Sequence, residues 1–360
     1  VSFSISEIFP NASQGLSNVG FLFGAGTSYK AGYPLMPELT IRVLEKLDPN
    51  EISIIETIIE KQLNIKLDKS RGEPNIEVIS DTIESGIYTV NPSEDLYKKL
   101  INLRKIIREQ IVEILLENKR PFLDDHIRFL NALKSVYMGR AESIWIFTTN
   151  YDMLFEVAAS VIKIPICNGF IGTSFSYFNI QCLQMNSGII LGNRFSPFTQ
   201  PVVRLIKLHG SLDWWKDNSS IYNTLIPEHI NDSLERLMVL PRKKKITETL
   251  DSPFGELFRF SERIIGSACK YIVSCGFSFG DEHINETLLL PKLQQGKIKL
   301  TAFIKSDNTN LESFKQCASF SYGTQSICKK LNVYESTGSE LWQFDKLVDL
   351  ICKYSGVGGC

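Results

Sequence analysis

No pair of cysteines in this 360-residue sequence is spaced as C-x-x-C. Its eight cysteines, Cys167, Cys182, Cys269, Cys275, Cys317, Cys328, Cys352 and Cys360, fall at irregular intervals. A zinc ribbon needs two close pairs so that four thiolates can meet one ion, and that pattern is missing. Reduced thiols in a cytosolic protein are therefore expected, with Cys269 and Cys275 in the core beside an apolar stretch. An excess of one charge is lacking too: 39 Lys and Arg stand against 40 Asp and Glu, for a net charge of -1. This balance excludes the global basic excess of a nucleic-acid binder and the acidic excess of a disordered chain. No apolar run reaches the ~18 residues of a membrane span, so no membrane contact is expected. The first residues, VSFSISEIFPNAS, lack a positive start and a long apolar stretch. No signal peptide and a cytoplasmic location follow as expectations. The Gly-rich end at Cys360 is expected to mark a cut from a longer chain. Internal repeats and low-complexity tracts are absent.

What is present has the 43% hydrophobic content of an ordinary globular protein, in a length sufficient for one large or two medium domains. The chain is organised around Val19–Ser28, VGFLFGAGTS. A short apolar run ending on glycine reads as a buried strand. Gly24 and Gly26 let another molecule approach the main chain closely. Thr27 and Ser28 are placed to open a helix whose free N–H groups face a phosphate. Tyr29 stands where a dinucleotide fingerprint has its third glycine, and no G-K-[ST] is present, so neither a full Rossmann fingerprint nor a P-loop is met. A tight turn in any α/β protein explains the stretch equally well on its own.

Residues 1–18 are expected to pack as a leader on the domain surface, and Glu38–Leu47 as a helix. Residues 50–139 carry three apolar stripes at helical spacing. Ile52, Ile55, Ile58, Ile59 and Leu63 form one, Leu96 to Ile114 a second, and Ile127, Leu130, Leu133 and Tyr137 a third. They exceed what one crossover needs and predict an inserted helical module over 50–139. Strand character returns at Ser143–Thr148, Val202–Leu208, Leu237–Leu240, Tyr271–Cys275, Ile298–Ile304 and Leu331–Tyr334. Residues 165–200, rich in Gly, Ser, Phe and Asn, are expected as a long loop able to fold over a site. The basic run Arg242–Lys245 reads as a solvated loop, and Ser339–Tyr354 as a closing amphipathic helix. The fold class expected is α/β, with a Rossmann-like parallel sheet from 1–49 and 140–360.

Four of these strands end in polar or glycine-bearing turns: GAGTS, TTNYD, LHGS and GFSFGD. Ligands of an open parallel sheet bind beyond the carboxyl ends of its strands, so these turns should converge on one crevice. Asn150 could hold a water or a ribose hydroxyl there, or cap the helix that follows. Asp152 could accept from a carboxamide N–H, or cap the same helix. His209, one of only four histidines, follows an apolar strand and suits a general base near neutral pH; a structural role is its alternative. His126 and His229 are expected at the surface. His283 could support the site or cap a helix. Asp281, Glu282 and His283 match no zinc spacing, so no metal is expected.

Together the motifs resemble the sirtuin-like NAD-binding family. Gly24–Ser28 with Ala31–Pro34 is similar to its glycine loop, Thr148–Asp152 to its T-Q-N-x-D segment, Leu208–Ser211 to its catalytic histidine strand, and Gly276–Ser278 to its late G-x-S turn. FTTNYD, NGF at Asn168–Phe170, KLHGSLDW and GFSFGDEHIN resemble the bacterial antiphage branch, in which a sirtuin-like subunit works with a HerA-type DNA-translocating ATPase. The resemblance implies a sirtuin-type fold without the zinc ribbon. It also implies hydrolysis of NAD+ as a substrate in phage defence, with nucleic acid met only through the ATPase. Homo-oligomerisation is expected on the separate ground that a toxic NADase must be restrained. By the same carry-over, Gly24, Ala25, Gly26, Thr27, Ser28, Thr148, Gly276 and Ser278 would bind the dinucleotide. Asp152 would bind the nicotinamide carboxamide. Asn150 would position ribose and water, and His209 would act as base. The alternatives are a non-catalytic NAD or ADP-ribose scaffold for a defence ATPase and an NAD-dependent deacylase. Three departures bear on the latter. The C-x-x-C pairs are missing, Leu35-Met36-Pro37 replaces aspartate-phenylalanine-arginine, and Thr149 stands where deacylases carry glutamine.

Overall fold

A computed structural model gives the fold and describes Ile5 and residues 16–140, 142–217, 220–229, 234–240, 252–305, 309–320, 331–335 and 341–356. The leader before residue 16, the run Arg242–Lys245, Cys328, Cys360 and the side chains of Cys317 and His229 lie outside the described residues. In chain order the strands are β1 (Val19–Phe23), β2 (Ser143–Thr148), β3 (Ile166–Cys167), β4 (Phe170–Gly172), β5 (Ser176–Phe178), β6 (Gly188–Leu191) and β7 (Arg194–Pro197). They continue as β8 (Val202–Lys207), β9 (Gly210–Lys216), β10 (Ile221–Asn223), β11 (Glu235–Met238), β12 (Tyr271–Cys275), β13 (Lys299–Ile304) and β14 (Leu331–Glu335). The longer helices are α1 (Met36–Lys46), α2 (Pro49–Leu63), α3 (Ile76–Thr89), α4 (Asp95–Leu116) and α5 (Asp124–Val136). After them come α6 (Leu154–Val161), α7 (Phe254–Ile264), α8 (Thr309–Phe320) and α9 (Phe344–Ser355).

Seven strands form a parallel sheet in the order β14-β13-β12-β1-β2-β8-β3. The fold is thus α/β with a parallel central sheet. The sequence of β1 explains its central place, for all five of its residues are buried. Successive side chains point to opposite faces, and both faces here are apolar. Phe21 and Phe23 enter one core with Phe129 of α5, Phe155 of α6 and Phe344 of α9. Leu22 enters the other, with Leu257 and Phe258 of α7. Each buried phenylalanine contributes about 2 kcal/mol or more of transfer free energy. Strand order runs outward from β1 in both directions, toward β2 and β8 on one side and β12 to β14 on the other. Connections diverge at such a point, and a crevice opens at the carboxyl ends of its strands.

A second, antiparallel sheet has the order β11-β9-β10-β5-β4, and β6 pairs only with β7. Residues 165–200 were expected to form a loop over the site. They instead build β3 to β7 with a short 3-10 turn at Ile180–Gln184, and none of them lines the main cleft. Their aromatic residues account for this: Phe170 packs 5.5 Å from Phe178 and 4.9 Å from Trp214, in the core under β9.

Residues 50–139 hold four helices rather than three. The additional one is α3, whose stripe of Ile76, Ile79, Ile83 and Ile87 is interleaved with Ser, Thr and Gly. Asn75 caps it by accepting from the Val78 N–H at 3.1 Å. Leu39, Val43 and Leu44 of α1 join the core of α2, α3 and α4, whereas α5 packs on the sheet with β1 and β2.

α5 also corrects the placement of His126. Its buried face keeps Leu130, Leu133 and Tyr137 of the expected stripe, with Ile127 partly buried against the same core, and adds His126 and Phe129. The His126 ring is 1% exposed and lies 4.8 Å from the rings of Phe155 and Phe344. Neither ring nitrogen has a hydrogen-bond partner among the described residues. Burial pushes its pKa down to about 4, against the opposing pull of Asp152. An unfolded histidine, with pKa near ~6.5, therefore takes up its proton before the folded one does. Stability should be full above pH ~6.5, fall as the pH drops toward 4, and level off below, a loss of about 3 kcal/mol. Replacing His126 with Phe should flatten that part of the pH–stability curve in urea titrations. An unchanged slope in the variant would assign the loss to other groups.

Candidate active site

A cleft of about 320 Å³ opens at the carboxyl ends of β1, β2, β8 and β12. Its sheet side is lined by Gly24, Ala25, Gly26, Ser28, Asn150, Asp152, His209, Gly276 and Ser278. Pro34, Leu35, Met36, Pro37, Leu39, Glu77 and Leu115 close it from the helical module. All four polar strand ends thus reach one space. Two of the residues expected there, Thr27 and Thr148, stand behind it instead. Both are 1% exposed. The Thr27 hydroxyl donates to the Gly24 carbonyl at 2.9 Å, and the Thr148 hydroxyl accepts from the Asn150 N–H at 3.0 Å.

The glycines after β1 and β12 are needed for the two loops to touch. A Cβ on Gly24 would lie 2.6 Å from the Gly276 carbonyl oxygen, and Gly276 has a φ of +64°. Neither position takes a larger residue without displacing the other loop. The helix expected after the glycine loop is a single turn, Gly26–Tyr29. The N–H groups of Gly26, Thr27 and Ser28 donate to the carbonyls of Gly276, Gly24 and Ala25. The loop therefore offers close backbone approach and a hydroxyl, not a row of free amides from a helix end.

Asn150 ties the loop to β2. Its Nδ2 lies 3.0 Å from the Gly24 oxygen, 3.1 Å from Thr27 Oγ1 and 2.8 Å from Ser28 Oγ. With Nδ2 turned to the glycine loop, Oδ1 is turned away from it and is an acceptor of fixed direction. Asn150 does not cap α6. That role falls to Asp152, whose Oδ1 accepts from the Leu154 N–H at 3.1 Å. Asp152 Oδ2 accepts from the Ser28 hydroxyl at 2.6 Å. Each carboxylate oxygen has a second lone pair, so Asp152 keeps acceptor capacity toward the cleft. Tyr33 faces the same cleft, and burial with the nearby Asp152 charge pushes its phenol up to about 12. It stays protonated, hence a donor.

His209 leaves β8 into the cleft with Nε2 2.8 Å from Asp281 Oδ2, and both side chains are nearly buried. The other Asp281 oxygen accepts from the Ile284 N–H at 3.0 Å, which holds the carboxylate in place. This contact fixes the tautomer of a neutral imidazole, with hydrogen on Nε2 and the lone pair on Nδ1. Tyr151 braces the site from the side. Its hydroxyl donates to the Val239 carbonyl at 2.6 Å, and Val239 N–H donates to the His209 carbonyl at 3.0 Å. Beneath both loops lies Lys207, 1% exposed. Its ammonium donates to the Asp152 carbonyl at 2.5 Å and the Ser211 hydroxyl at 2.6 Å, and pairs with Glu156 at 2.9 Å. Burial opposes the charge of Lys207, but Glu156, Asp213 and Asp152 outweigh it and hold its pKa above the ordinary value.

His283 is elsewhere. Its ring packs 4.4 Å from Phe258, with Nδ1 3.2 Å from Thr287 Oγ1, and the cap it could have provided is supplied by Asp281. Among the described residues no group of three or more His, Cys, Asp or Glu is placed to hold a metal ion. No described helix is long and apolar enough to cross a membrane.

Residues 145–296 match the family model of the SIR2-like domain. The SIR2-like stretch begins within β2 and contains Asn150, Asp152, Lys207, His209, Gly276, Ser278 and Asp281. The glycine loop and the helical module lie before it in sequence, and the Gly24–Gly276 crossing joins the loop to it. The match supports a sirtuin-type, NAD-related function. No curated protein matches the chain. Among solved structures, that of Sir2Tm bound to a propionylated peptide is similar over 99% of this chain and 100% of its own, at 11% identity and a TM-score of 0.40. At that distance it bears on neither site nor substrate.

Asp281, Lys207, Tyr33 and Tyr151 are site residues that motif spacing alone does not assign. Asp281 is visible in the sequence, three residues after Ser278, but its contact with His209 depends on how the loops after β8 and β12 meet. Lys207 looks like the polar end of an apolar strand.

Proposed function

We propose that the protein hydrolyses NAD+ at the nicotinamide–ribose bond, yielding ADP-ribose and nicotinamide. The observation that carries this reading is the meeting of Asn150, Asp152 and the His209–Asp281 pair in one cleft at the switch point of a parallel sheet. Nicotinamide leaves with the electrons of the broken C–N bond and becomes neutral, because its ring nitrogen was cationic. No acid is needed for departure, which suits a site with an amide and an imidazole facing the substrate. The transition state is oxocarbenium-like, as in glycoside hydrolysis. A water held by Asn150 Oδ1 adds to the ribose carbon, and His209 takes its proton. Asp152 accepts from the nicotinamide carboxamide.

The resemblance of FTTNYD, KLHGSLDW and GFSFGDEHIN extends the proposal to phage defence by NAD+ depletion. The enzyme then acts as a homo-oligomer with a HerA-type ATPase partner. Incubating the protein with NAD+, with and without the ATPase and an acylated peptide, and following nicotinamide tests the chemistry. Release without peptide is expected. Release only with peptide would make the protein a deacylase, and no release in any mixture would leave a scaffold.

Asp281 should act through His209. Asp281→Asn is nearly isosteric but no longer imposes the Nε2–H tautomer. It should lower kcat by about tenfold or more while KM stays within about twofold. A change confined to KM would mean that Asp281 contacts the substrate instead.

A further inference from the structure

A second recess, of about 230 Å³, lies away from the cleft between α4, the end of β9 and β11. Three cations line it, Arg108 from α4, Lys216 from β9 and Arg236 from β11, against one carboxylate among the described lining residues, Glu235. Glu235 sits opposite Lys216 in the β9–β11 register, and Asp213 acts on Arg236 from the protein side. The remaining positive charge is unbalanced among the described lining residues, in a chain whose net charge is -1. Like charges held together this way repel unless an anion joins them.

Two further features point to a ligand. The Arg236 guanidinium carbon lies over the Trp215 ring, 4.1 Å from its centroid. This cation–π contact holds the guanidinium in place at the recess without using up its N–H donors. Arg108 Nε is buried without a hydrogen-bond partner among the described residues. An unmet buried donor costs about 1–3 kcal/mol, and an acceptor entering the recess would remove that cost. Phosphate oxygens suit such a set, because guanidinium forks bind them in pairs and an ammonium adds a point charge.

We propose that this recess is a second binding site, taking a ligand with two or more linked phosphates through Arg108, Lys216 and Arg236. The ligand is either inorganic pyrophosphate or the phosphate tail of a nucleotide. The test is calorimetric titration of the whole chain with pyrophosphate and with ADP, using wild type, Arg108→Gln/Lys216→Gln and Arg236→Gln. Wild type should bind both, and the double variant should bind each at least about tenfold more weakly. Tighter binding of ADP than pyrophosphate, lost in the double variant, would identify the nucleotide as the source, and equal binding lost in that variant the phosphates alone. The double variant should melt at the wild-type temperature, since it removes one unmet donor and an exposed lysine. It thus carries the test if Arg236→Gln loses its stacking and folds poorly. Equal binding by wild type and double variant would overturn the proposal by placing the phosphates elsewhere, the glycine loop included. So would no binding by wild type up to about 10 mM, or binding only to DNA oligomers with affinity rising with their length. None of these outcomes depends on whether the main cleft cleaves NAD+.

Discussion

His209→Ala and Asn150→Ala should each abolish nicotinamide release while the protein keeps its fold. A positioned general base is worth about 100-fold to 10,000-fold, so the first variant should fall at least that far. The second loses the acceptor that holds water and also the three contacts from Nδ2 to the glycine loop. Both losses are local. Asp281 still accepts from the Ile284 N–H after His209 is removed, so its carboxylate is not left without a partner. Ser28 still donates to Asp152 after Asn150 is removed. A melting curve should register about 1–3 kcal/mol at most for either variant. His209→Gln sharpens the test, because its amide can donate to Asp281 but does not titrate. It should be as inactive as the alanine variant with less loss of stability. Wild-type turnover by any of the three would remove these residues from the chemistry.

The sequence shows the fold class and which strand ends meet at the cleft better than it shows how the chain packs around them. Each strand that ends at the cleft is an apolar run closed by a polar turn, and such local patterns survive in one dimension. Gly24, Gly26 and Gly276 carry the same kind of local signal, since close approach leaves few alternatives to glycine. What stays hidden is set by packing between distant segments. α3 shows a weak stripe because Ser80, Thr82 and Gly86 are buried beside its isoleucines, and these small residues blur the contrast between faces. The α5 stripe is legible, but its buried face also includes a histidine, which polarity alone assigns to solvent. Which core each helix joins depends on contacts between distant segments, and helical spacing is silent on that. In the 165–200 stretch, Gly, Ser and Asn have the composition of a lid, while Phe170 and Phe178 decide its course by packing beside Trp214.

Lys207 is the position where a single change should cost most. Its ammonium is buried between Glu156, the Asp152 carbonyl and the Ser211 hydroxyl, which itself donates to the Tyr151 carbonyl at 3.1 Å. Replacing Lys207 with Met fills similar volume but leaves Glu156 without its counter-charge. Breaking a buried pair from one side costs about 3–5 kcal/mol, a large share of the stability of any domain. Burial already pushes the Glu156 carboxyl above its ordinary value, with Lys207 opposing the shift. The variant should therefore recover some stability at acidic pH, where Glu156 is neutral. Lys207→Met with Glu156→Leu removes both charges and should regain most of the lost melting temperature, since apolar replacements of buried pairs are often neutral. Activity should not return with it. The double variant has no donor for the Asp152 carbonyl and none from position 207 for Ser211, so the loop carrying Asn150 and Asp152 is no longer pinned to the strand carrying His209. Small misplacements of reacting groups cost about 100-fold in rate. Restored stability with lost turnover would separate the two roles of Lys207; restored turnover would reduce it to a partner of Glu156.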